Sequence, residues 1–284
     1  MVVLFLLFIL GICVGSFLHV LIDRIPREQT IIKGRSYCES CKKVLKWYDL
    51  IPLFSYVQLW GKCRYCHTSL SYYYPVVELV TGVMFVTTSL FLPIESITYQ
   101  VLSIRQIFLM SYYLFTISSL IVIFFADLKY GIIPDKILFP LIVITLIGTV
   151  IPVCPYPSFR FVRAELSVQN PFDPGCGRLG DLTRMMSGIG SFLFFLLLFV
   201  FTKGKGMGFG DVKFAFFMGL FLGFPKILIA LYIAFLTGAC ISIILLIGGK
   251  KKLKSTIPFG PFLVIGTMVS MFFGDKMIMI FRLF

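Results

Sequence analysis

Long apolar runs separated by short polar segments are the feature of this sequence that most limits its fold. Most of the eight runs approach the roughly 20 residues that a helix needs to cross the hydrocarbon core of a bilayer. They cover residues 1–22, 75–93, 107–126, 137–153, 185–202, 211–224, 227–247 and 257–274. The run 211–224 is short, so we expect a tilted or partial span there. The sequence therefore predicts an all-α polytopic membrane protein with about eight transmembrane helices.

Composition supports the membrane interpretation. Only 14% of the 284 residues are charged and the mean hydropathy is +0.97, whereas soluble chains carry about 25% charged residues. These values exclude a disordered chain and disfavour a soluble domain. The net charge of +13 would suggest nucleic acid in a soluble protein. In a membrane protein it indicates basic cytoplasmic loops, so we expect the lipid bilayer and no nucleic acid as a partner.

The distribution of Lys and Arg predicts which loops face the cytoplasm. Four segments hold 18 of the 26 basic residues: 23–74, 127–136, 203–213 and 250–254. By the positive-inside rule these segments lie inside and both termini lie outside. The first run lacks a charged leading segment and a small-residue cleavage site, so we expect an uncleaved helix.

The first inside loop, residues 23–74, carries two Cys-x-x-Cys pairs that are 21 residues apart. This spacing is typical of a tetrahedral thiolate zinc site, formed here by Cys38, Cys41, Cys63 and Cys66. A loop of this size has no self-sufficient core, so a structural zinc ion would help to fold it. Two disulfides or a redox pair are alternatives, although cytosolic conditions disfavour disulfides. His67 is either a spare ligand or an ordinary loop residue.

The remaining cysteines have other expected roles. Cys13 and Cys240 lie within apolar runs, where we expect them to pack. Cys154 and Cys176 lie in the long outside segment 154–184, where they are either linked by a disulfide or unlinked.

Acidic residues at membrane boundaries are the candidate catalytic groups, because ionisable side chains at this depth are costly and often functional. They are Asp23, Glu78, Asp127, Asp135 and Asp211. Asp127 and Asp211 are predicted at the same inner face, where two carboxylates can share a proton and activate a water. As alternatives, Asp211 caps the helix that it begins, Asp127 pairs with Lys129, and Asp135 marks a helix start.

Motifs along almost the whole chain resemble those of type IV prepilin peptidases, polytopic aspartic proteases of the GxGD class. The matching segments are Gly15–Val20, Asp23–Pro26, Gly34–Cys38, Trp47–Pro52, Gly61–Cys66, Tyr74–Gly82, Asp127 to Asp135, Gly208–Lys213 and Pro258–Pro261. A single GxGD motif is weak, but so many motifs in this order are specific. The chain departs from the family at His19, where Asn is usual, and in the long segment 154–184.

The resemblance implies a function, a location and a set of site residues. Asp127 and Asp211 would be catalytic, and Cys38, Cys41, Cys63 and Cys66 would bind Zn²⁺. The enzyme would cleave basic leaders from type IV prepilins and pseudopilins at the cytoplasmic face of the bacterial inner membrane. It would then methylate the new amino terminus from S-adenosylmethionine. The implied domains are helix 1–22, zinc loop 23–74, second helix with its outside loop 75–106, and peptidase domain 107–284.

The sequence leaves the methyl-donor site unassigned and offers two alternative functions. No glycine-rich fingerprint identifies the binding site for the methyl donor, for which Glu78 is either a candidate or simply an acid paired with a basic side chain. A transporter with intramembrane acidic ion sites is the main alternative function. A zinc hydrolase is disfavoured because four thiolates leave no open coordination position.

Overall fold

The computed structural model describes residues 2–30, 34–91, 104–150, 178–204, 207–248 and 258–281. Within these ranges the chain is helical, and its only extended pairing consists of two isolated bridges. The all-α prediction is therefore confirmed. The basic segment 250–254, Cys154, Cys176 and most of the segment 154–184 lie outside the described residues.

Nine α-helices and one short 3-10 helix, η1, make up the described chain. They are α1 Val2–Arg24, η1 Trp47–Leu50, α2 Phe54–Gln58, α3 Tyr73–Phe91, α4 Ile104–Tyr130, α5 Asp135–Val150, α6 Arg178–Phe201, α7 Phe209–Leu222, α8 Lys226–Ile247 and α9 Gly260–Phe281. Eight of the α-helices, all except α2, correspond to the eight apolar runs.

Six of these helices are long and apolar enough to cross a membrane: α1, α3, α4, α6, α8 and α9. The other two apolar helices, α5 and α7, have 16 and 14 residues, fewer than a straight span needs. The polytopic fold that the sequence predicts is thus present, and the short run 211–224 forms one of the two short helices.

The chain divides into two compact units, and the first covers Met1–Val122. In it, α1 packs closely against α3 through small residues. A Cβ atom added to Gly11 would lie 2.7 Å from Gly82 Cα, and one added to Gly15 would lie 2.8 Å from Glu78 Cα. Small residues at such crossings let two membrane helices make close backbone contact.

The second unit covers Ile123–Phe284, and α7 is its most enclosed helix. Ten of its 14 residues are buried, and α5, α6, α8 and α9 all contact it. The Ser191 hydroxyl of α6 donates to the Ala215 carbonyl of α7 at 2.8 Å, and a side chain at Gly219 would overlap the backbone of Ser187. Enclosure on all sides explains why α7 is apolar around its circumference.

The two lone cysteines differ from the prediction. Cys13 and Cys240 were expected to pack in the interior, but both are exposed on the faces of α1 and α8. An apolar run in a membrane helix does not tell which face points inward, because the lipid-facing side is as apolar as the packed side.

Candidate functional site

Asp127 lies in the last turn of α4, and Asp211 lies in the first turn of α7. Their side chains line the same cleft of about 650 Å³, although the residues themselves are only 5% and 7% exposed. The two carboxyl groups are close enough for their charges to repel each other. The structure therefore brings together the two acids that the sequence predicts as a pair.

Local geometry explains why Asp127 lies where α4 ends. Gly131 adopts a left-handed conformation with φ of 66° and donates its N–H to the Asp127 carbonyl at 2.8 Å. A glycine in this conformation is the usual way to terminate a helix. Pro134 then precedes α5, which begins at Asp135 as predicted. The conformation of this turn therefore holds Asp127 at the wall of the cleft.

Asp211 serves its own helix as well as the cleft. Its Oδ2 accepts a hydrogen bond of 3.1 Å from the backbone N–H of Gly208, the residue that caps the start of α7. The capping interpretation is thus correct as a structural statement. It does not compete with a role in the cleft, because a carboxylate accepts several hydrogen bonds at once.

Gly260 is a contact of Asp127 that the sequence did not single out. The Gly260 backbone amide lies near the Asp127 carboxyl group, and a Cβ atom added to Gly260 would lie 2.6 Å from Asp127 Oδ2. That oxygen is buried and has no hydrogen-bond partner among the described residues. The glycine of the closing motif Pro258–Pro261 therefore leaves room for the Asp127 carboxyl group.

The glycines of the GxGD motif have two different environments. A Cβ atom at Gly210 would lie 3.1 Å from Ile133 Cβ, whereas one at Gly208 would meet no atom closer than 3.7 Å. Gly210 therefore lets α7 approach the turn after α4. Gly208 leaves the cleft open beside Asp211.

Asp135 and Lys213 also line the cleft and form an ion pair across it. Lys213 Nζ donates to both carboxylate oxygens of Asp135 at 2.8 and 2.9 Å, and it lies 5.2 Å from the ring centre of Phe139. The Asp135 side chain is half exposed. Asp135 is thus both a helix start, as predicted, and one partner of a bridge between α5 and α7.

The four cysteines of the first unit form a candidate metal centre. Their sulfur atoms all lie within 4.8 Å of one another, and Cys38 Sγ is 3.8 Å from Cys66 Sγ. Four thiolates at the usual Zn–S distance of about 2.3 Å form a tetrahedron with edges of about 3.8 Å. All four are free thiols, so these cysteines are not paired in disulfides. The residues therefore fit a structural zinc ion.

The two Cys-x-x-Cys pairs have the same backbone conformation. In each, the residue after the second cysteine is left-handed: φ is 56° at Lys42 and 55° at His67. Each of these residues donates its N–H to the carbonyl of the first cysteine, at 2.9 Å in both. His67 is the counterpart of Lys42, which favours its interpretation as a loop residue.

Hydrogen bonds favour the thiolate form at two of the cysteines. The Thr68 hydroxyl lowers the pKa of Cys66 to about 6, and the backbone amide of Cys41 lowers the pKa of Cys38. At Cys41 the Lys43 amide favours the thiolate, but burial and the neighbouring sulfurs raise its pKa to about 11. Such crowding of sulfurs is what a bound cation relieves.

Asp49 supports this centre in a way that the sequence did not reveal. Its side chain is 3% exposed and accepts from Arg64 Nε at 2.7 Å and from the Tyr65 hydroxyl at 3.1 Å. Arg64 and Tyr65 are the two residues between Cys63 and Cys66. Asp49 therefore fixes the second Cys-x-x-Cys turn from outside the metal ligands.

Glu78 and His19 connect elements of the first unit. Glu78 is 7% exposed, and its Oε2 accepts from the backbone N–H of Leu53 at 2.8 Å. Leu53 has a positive φ of 57° and precedes α2. His19 Nε2 donates to the Tyr74 carbonyl at 2.8 Å, which joins α1 to the start of α3. The unusual histidine thus has a packing role within this unit.

A helical membrane fold with two buried aspartates on one cleft fits the class of intramembrane aspartic peptidases. Two family models match the chain: the bacterial peptidase A24 N-terminal domain over residues 9–92, and the type IV leader peptidase family over residues 114–243. The chain therefore belongs to the type IV leader peptidase family, and the predicted family and enzyme class are confirmed.

Curated relatives carry the name prepilin leader peptidase/N-methyltransferase. The Legionella pneumophila protein is 30% identical over 94% of this chain and 90% of its own length, and the Bacillus subtilis protein is 27% identical over 96% and 95%. The Myxococcus xanthus protein is 31% identical over 85% of this chain, which spans only 62% of that relative. No solved structure shows a significant match. None of these relatives supports the transporter alternative.

Proposed function

We propose that the chain is an aspartic endopeptidase that removes the basic leader from type IV prepilins and pseudopilins, with Asp127 and Asp211 as its catalytic pair. The observation that carries the proposal is the meeting of these two buried carboxyl groups at one cleft. The names of the curated relatives supply prepilins as the substrate class, and the motif resemblance adds pseudopilins and the basic leader.

The geometry supports a mechanism without a covalent enzyme intermediate. One carboxylate removes a proton from a water molecule as the water oxygen attacks the scissile carbonyl carbon. The other carboxyl group, initially protonated, gives its proton to the carbonyl oxygen, which becomes a hydroxyl oxygen in the tetrahedral intermediate. As that intermediate collapses and the C–N bond breaks, the first carboxyl group passes the proton from water to the leaving amine, and the second takes a hydroxyl proton back as the carbonyl re-forms.

The hydrogen bonds in the cleft favour one division of these roles. Asp211 accepts a backbone N–H at 3.1 Å, which stabilises a carboxylate. The Gly260 amide lies near the Asp127 carboxyl group, but Asp127 Oδ2 is buried with no hydrogen-bond donor among the described residues. We therefore assign Asp211 as the base and Asp127 as the carboxyl group that holds the proton at the start. Because the two groups repel each other, one shared proton is the expected resting state.

We also propose that the chain methylates the new amino terminus. The names of the relatives carry this second activity, and S-adenosylmethionine would supply the methyl group. The four-cysteine centre fits a structural zinc ion that helps to fold the loop domain, residues 23–74, since four thiolates fill the coordination sphere of the metal.

The basic segments support a location of this chemistry at the cytoplasmic face of the bacterial inner membrane. Single cysteines placed at 250–254 should react with a membrane-impermeant thiol reagent only from the cytoplasmic side. Those placed at 160–180 should react only from outside. The native cysteines at Cys13, Cys154, Cys176 and Cys240 are replaced by alanine for this measurement. The reverse pattern would contradict the proposed face.

The activity itself is tested with purified protein in nanodiscs, a prepilin and S-adenosylmethionine. Mass spectrometry of the product should show leader removal and a gain of one methyl group at the new amino terminus. Asp127→Ala and Asp211→Ala should abolish cleavage, while both variants should still methylate a prepilin supplied without its leader. Cleavage that survives either substitution would refute the assignment of the catalytic pair.

A further inference from the structure

An exposed apolar surface lies on and beside the short helix α2 in the loop domain. It consists of Phe54, Val57, Trp60 and Tyr72, which are 60%, 71%, 89% and 80% exposed. Phe54 and Val57 are three residues apart on α2 and therefore share one helix face, and Trp60 follows in the next turn of the chain. Aromatic residues so exposed to water are unusual in a folded domain and indicate an interaction surface.

Tyr72 belongs to the same surface because it packs against α2. Its ring centre lies 6.3 Å from that of Tyr56, and the Tyr56 hydroxyl donates to the Leu70 carbonyl at 3.3 Å. Tyr72 immediately precedes α3, so the surface continues to the beginning of a membrane-spanning helix.

A hydrogen bond between α3 and the residue before α2 sets the depth of this surface relative to α3. Glu78 is the sixth residue of α3, and its carboxylate accepts the N–H of Leu53, the residue before α2. With a rise of about 1.5 Å per residue, this places the start of α2 about 7 to 8 Å along the axis of α3.

The length of α3 places that level at the edge of the bilayer. Its 19 residues span about 28 Å, which barely matches the roughly 30 Å of the hydrocarbon core. Since α3 has no length to spare, its start lies at the boundary between headgroups and acyl chains, and a segment tied to its second turn lies within about 7 to 8 Å of that boundary. Trp and Tyr side chains concentrate at this boundary.

Charge is consistent with the same environment. Residues 34–72 hold six Lys and Arg against two acidic residues. Basic side chains next to an apolar surface favour anionic lipid headgroups. A soluble protein partner would not require the surface to lie level with the second turn of a membrane helix.

We propose that Phe54, Val57, Trp60 and Tyr72 insert into the lipid interface and fix the zinc loop domain against the bilayer. The occupant of this surface is therefore lipid, bound in the absence of any peptide substrate. The interface would add a third attachment for the domain, besides its covalent links to α1 and α3.

The two tryptophans of the chain make this testable, because both lie in the loop domain. Trp47→Phe leaves Trp60 as the sole reporter, and Trp60→Phe leaves Trp47 as the comparison. The full-length protein is placed in nanodiscs of plain lipid, of lipid brominated near the headgroups, or of lipid brominated near the acyl ends. Acrylamide provides the measure of access from water.

In the Trp47→Phe protein we expect a blue-shifted emission, weak quenching by acrylamide, and strong quenching by lipid brominated near the headgroups. Replacing Phe54 and Val57 by Ser should reduce the lipid quenching of Trp60. Emission that stays fully accessible to acrylamide and insensitive to bromine would overturn the proposal. So would a blue shift that appears only when a prepilin peptide is added, because the surface would then bind peptide. If Trp47→Phe does not fold, the wild-type protein still tests the proposal. Brominated lipid that fails to quench the emission of the wild-type protein, which contains both tryptophans, would exclude insertion of Trp60.

Discussion

Replacing Gly260 by Ala should slow peptide cleavage about 100-fold while leaving the protein folded. The new Cβ atom would lie 2.6 Å from Asp127 Oδ2, 3.0 Å from Cγ and 3.3 Å from Cβ. Ordinary non-bonded contacts begin at about 3.5 Å, so the Asp127 carboxyl group must move by almost 1 Å. A misplacement of that size costs about 100-fold in rate, or about 2.7 kcal/mol of activation free energy.

Gly260→Ala should lower the free energy of unfolding by less than it raises the activation free energy of cleavage. Overpacking of a core typically costs about 1–3 kcal/mol, and Gly260→Ala should fall at the low end of this range because the atom that the added methyl group would meet first is the end of a side chain. Gly274→Ala is the matched control on the same helix, since the nearest atoms to its Cβ would be Lys226 Cγ and Ser270 Oγ at 3.3 Å and Lys226 Cδ at 3.4 Å. We expect that control to cleave at close to the wild-type rate.

The assay is single-turnover cleavage of a prepilin in nanodiscs, with thermal unfolding measured on the same preparations. Gly260→Ala should lose about two orders of magnitude in the cleavage rate. Methylation of a substrate supplied without its leader should persist. A folded Gly260→Ala protein that cleaves at the rate of Gly274→Ala would refute the claim that Gly260 makes room for Asp127.

Three further predictions concern the first unit. Cys63→Ser should lower the zinc content from about one ion per chain, measured by metal analysis, and should make the loop domain more sensitive to proteolysis. His67→Ala, the control, should retain the metal. Burial alone would raise the pKa of Asp49, but hydrogen bonds from the Lys46 amide, Arg64 and Tyr65 lower it below its usual value. The stability that Asp49 adds is therefore complete above its unfolded pKa of about 3.9 and is lost as the pH falls through its lower pKa in the folded protein. Asp49→Asn should remove this contribution to the acid dependence of the free energy of unfolding. Glu78→Ala should cost about 1–3 kcal/mol by leaving the Leu53 N–H unpaired, and Glu78→Gln, which keeps an acceptor, should cost less in a thermal unfolding assay.

Much of this molecule could be predicted from the sequence because its signals are local. An apolar run of about 20 residues specifies a membrane helix by itself, and a Cys-x-x-Cys pair specifies half of a metal centre. The helix start at Asp135 follows from the preceding Pro134. Each of these features depends on a few neighbouring residues, so no knowledge of the tertiary fold is required.

The contacts that could not be predicted join residues far apart in the chain. Gly260 lies 133 positions after Asp127, and Lys213 lies 78 positions after its partner Asp135. The enclosed position of α7 and the exposed positions of Cys13 and Cys240 also depend on packing between helices. In a uniformly apolar helix, the pattern of the sequence does not distinguish the lipid-facing side from the packed side.

The last prediction separates the roles of the two aspartates. Asp211 receives the Gly208 N–H, so its carboxylate form is stabilised. The Gly260 amide lies near the Asp127 carboxyl group, but the buried Oδ2 of Asp127 has no donor among the described residues. Asn at position 127 keeps a neutral group that donates a hydrogen bond to the substrate carbonyl. Asn at position 211 removes the group that accepts a proton from water. Residual cleavage in single-turnover assays should therefore be higher for Asp127→Asn than for Asp211→Asn. The double variant should be no slower than Asp211→Asn, since no base remains in either. If Asp211→Asn instead cleaves faster, Asp127 is the base, and the hydrogen bond from Gly208 serves only to cap α7.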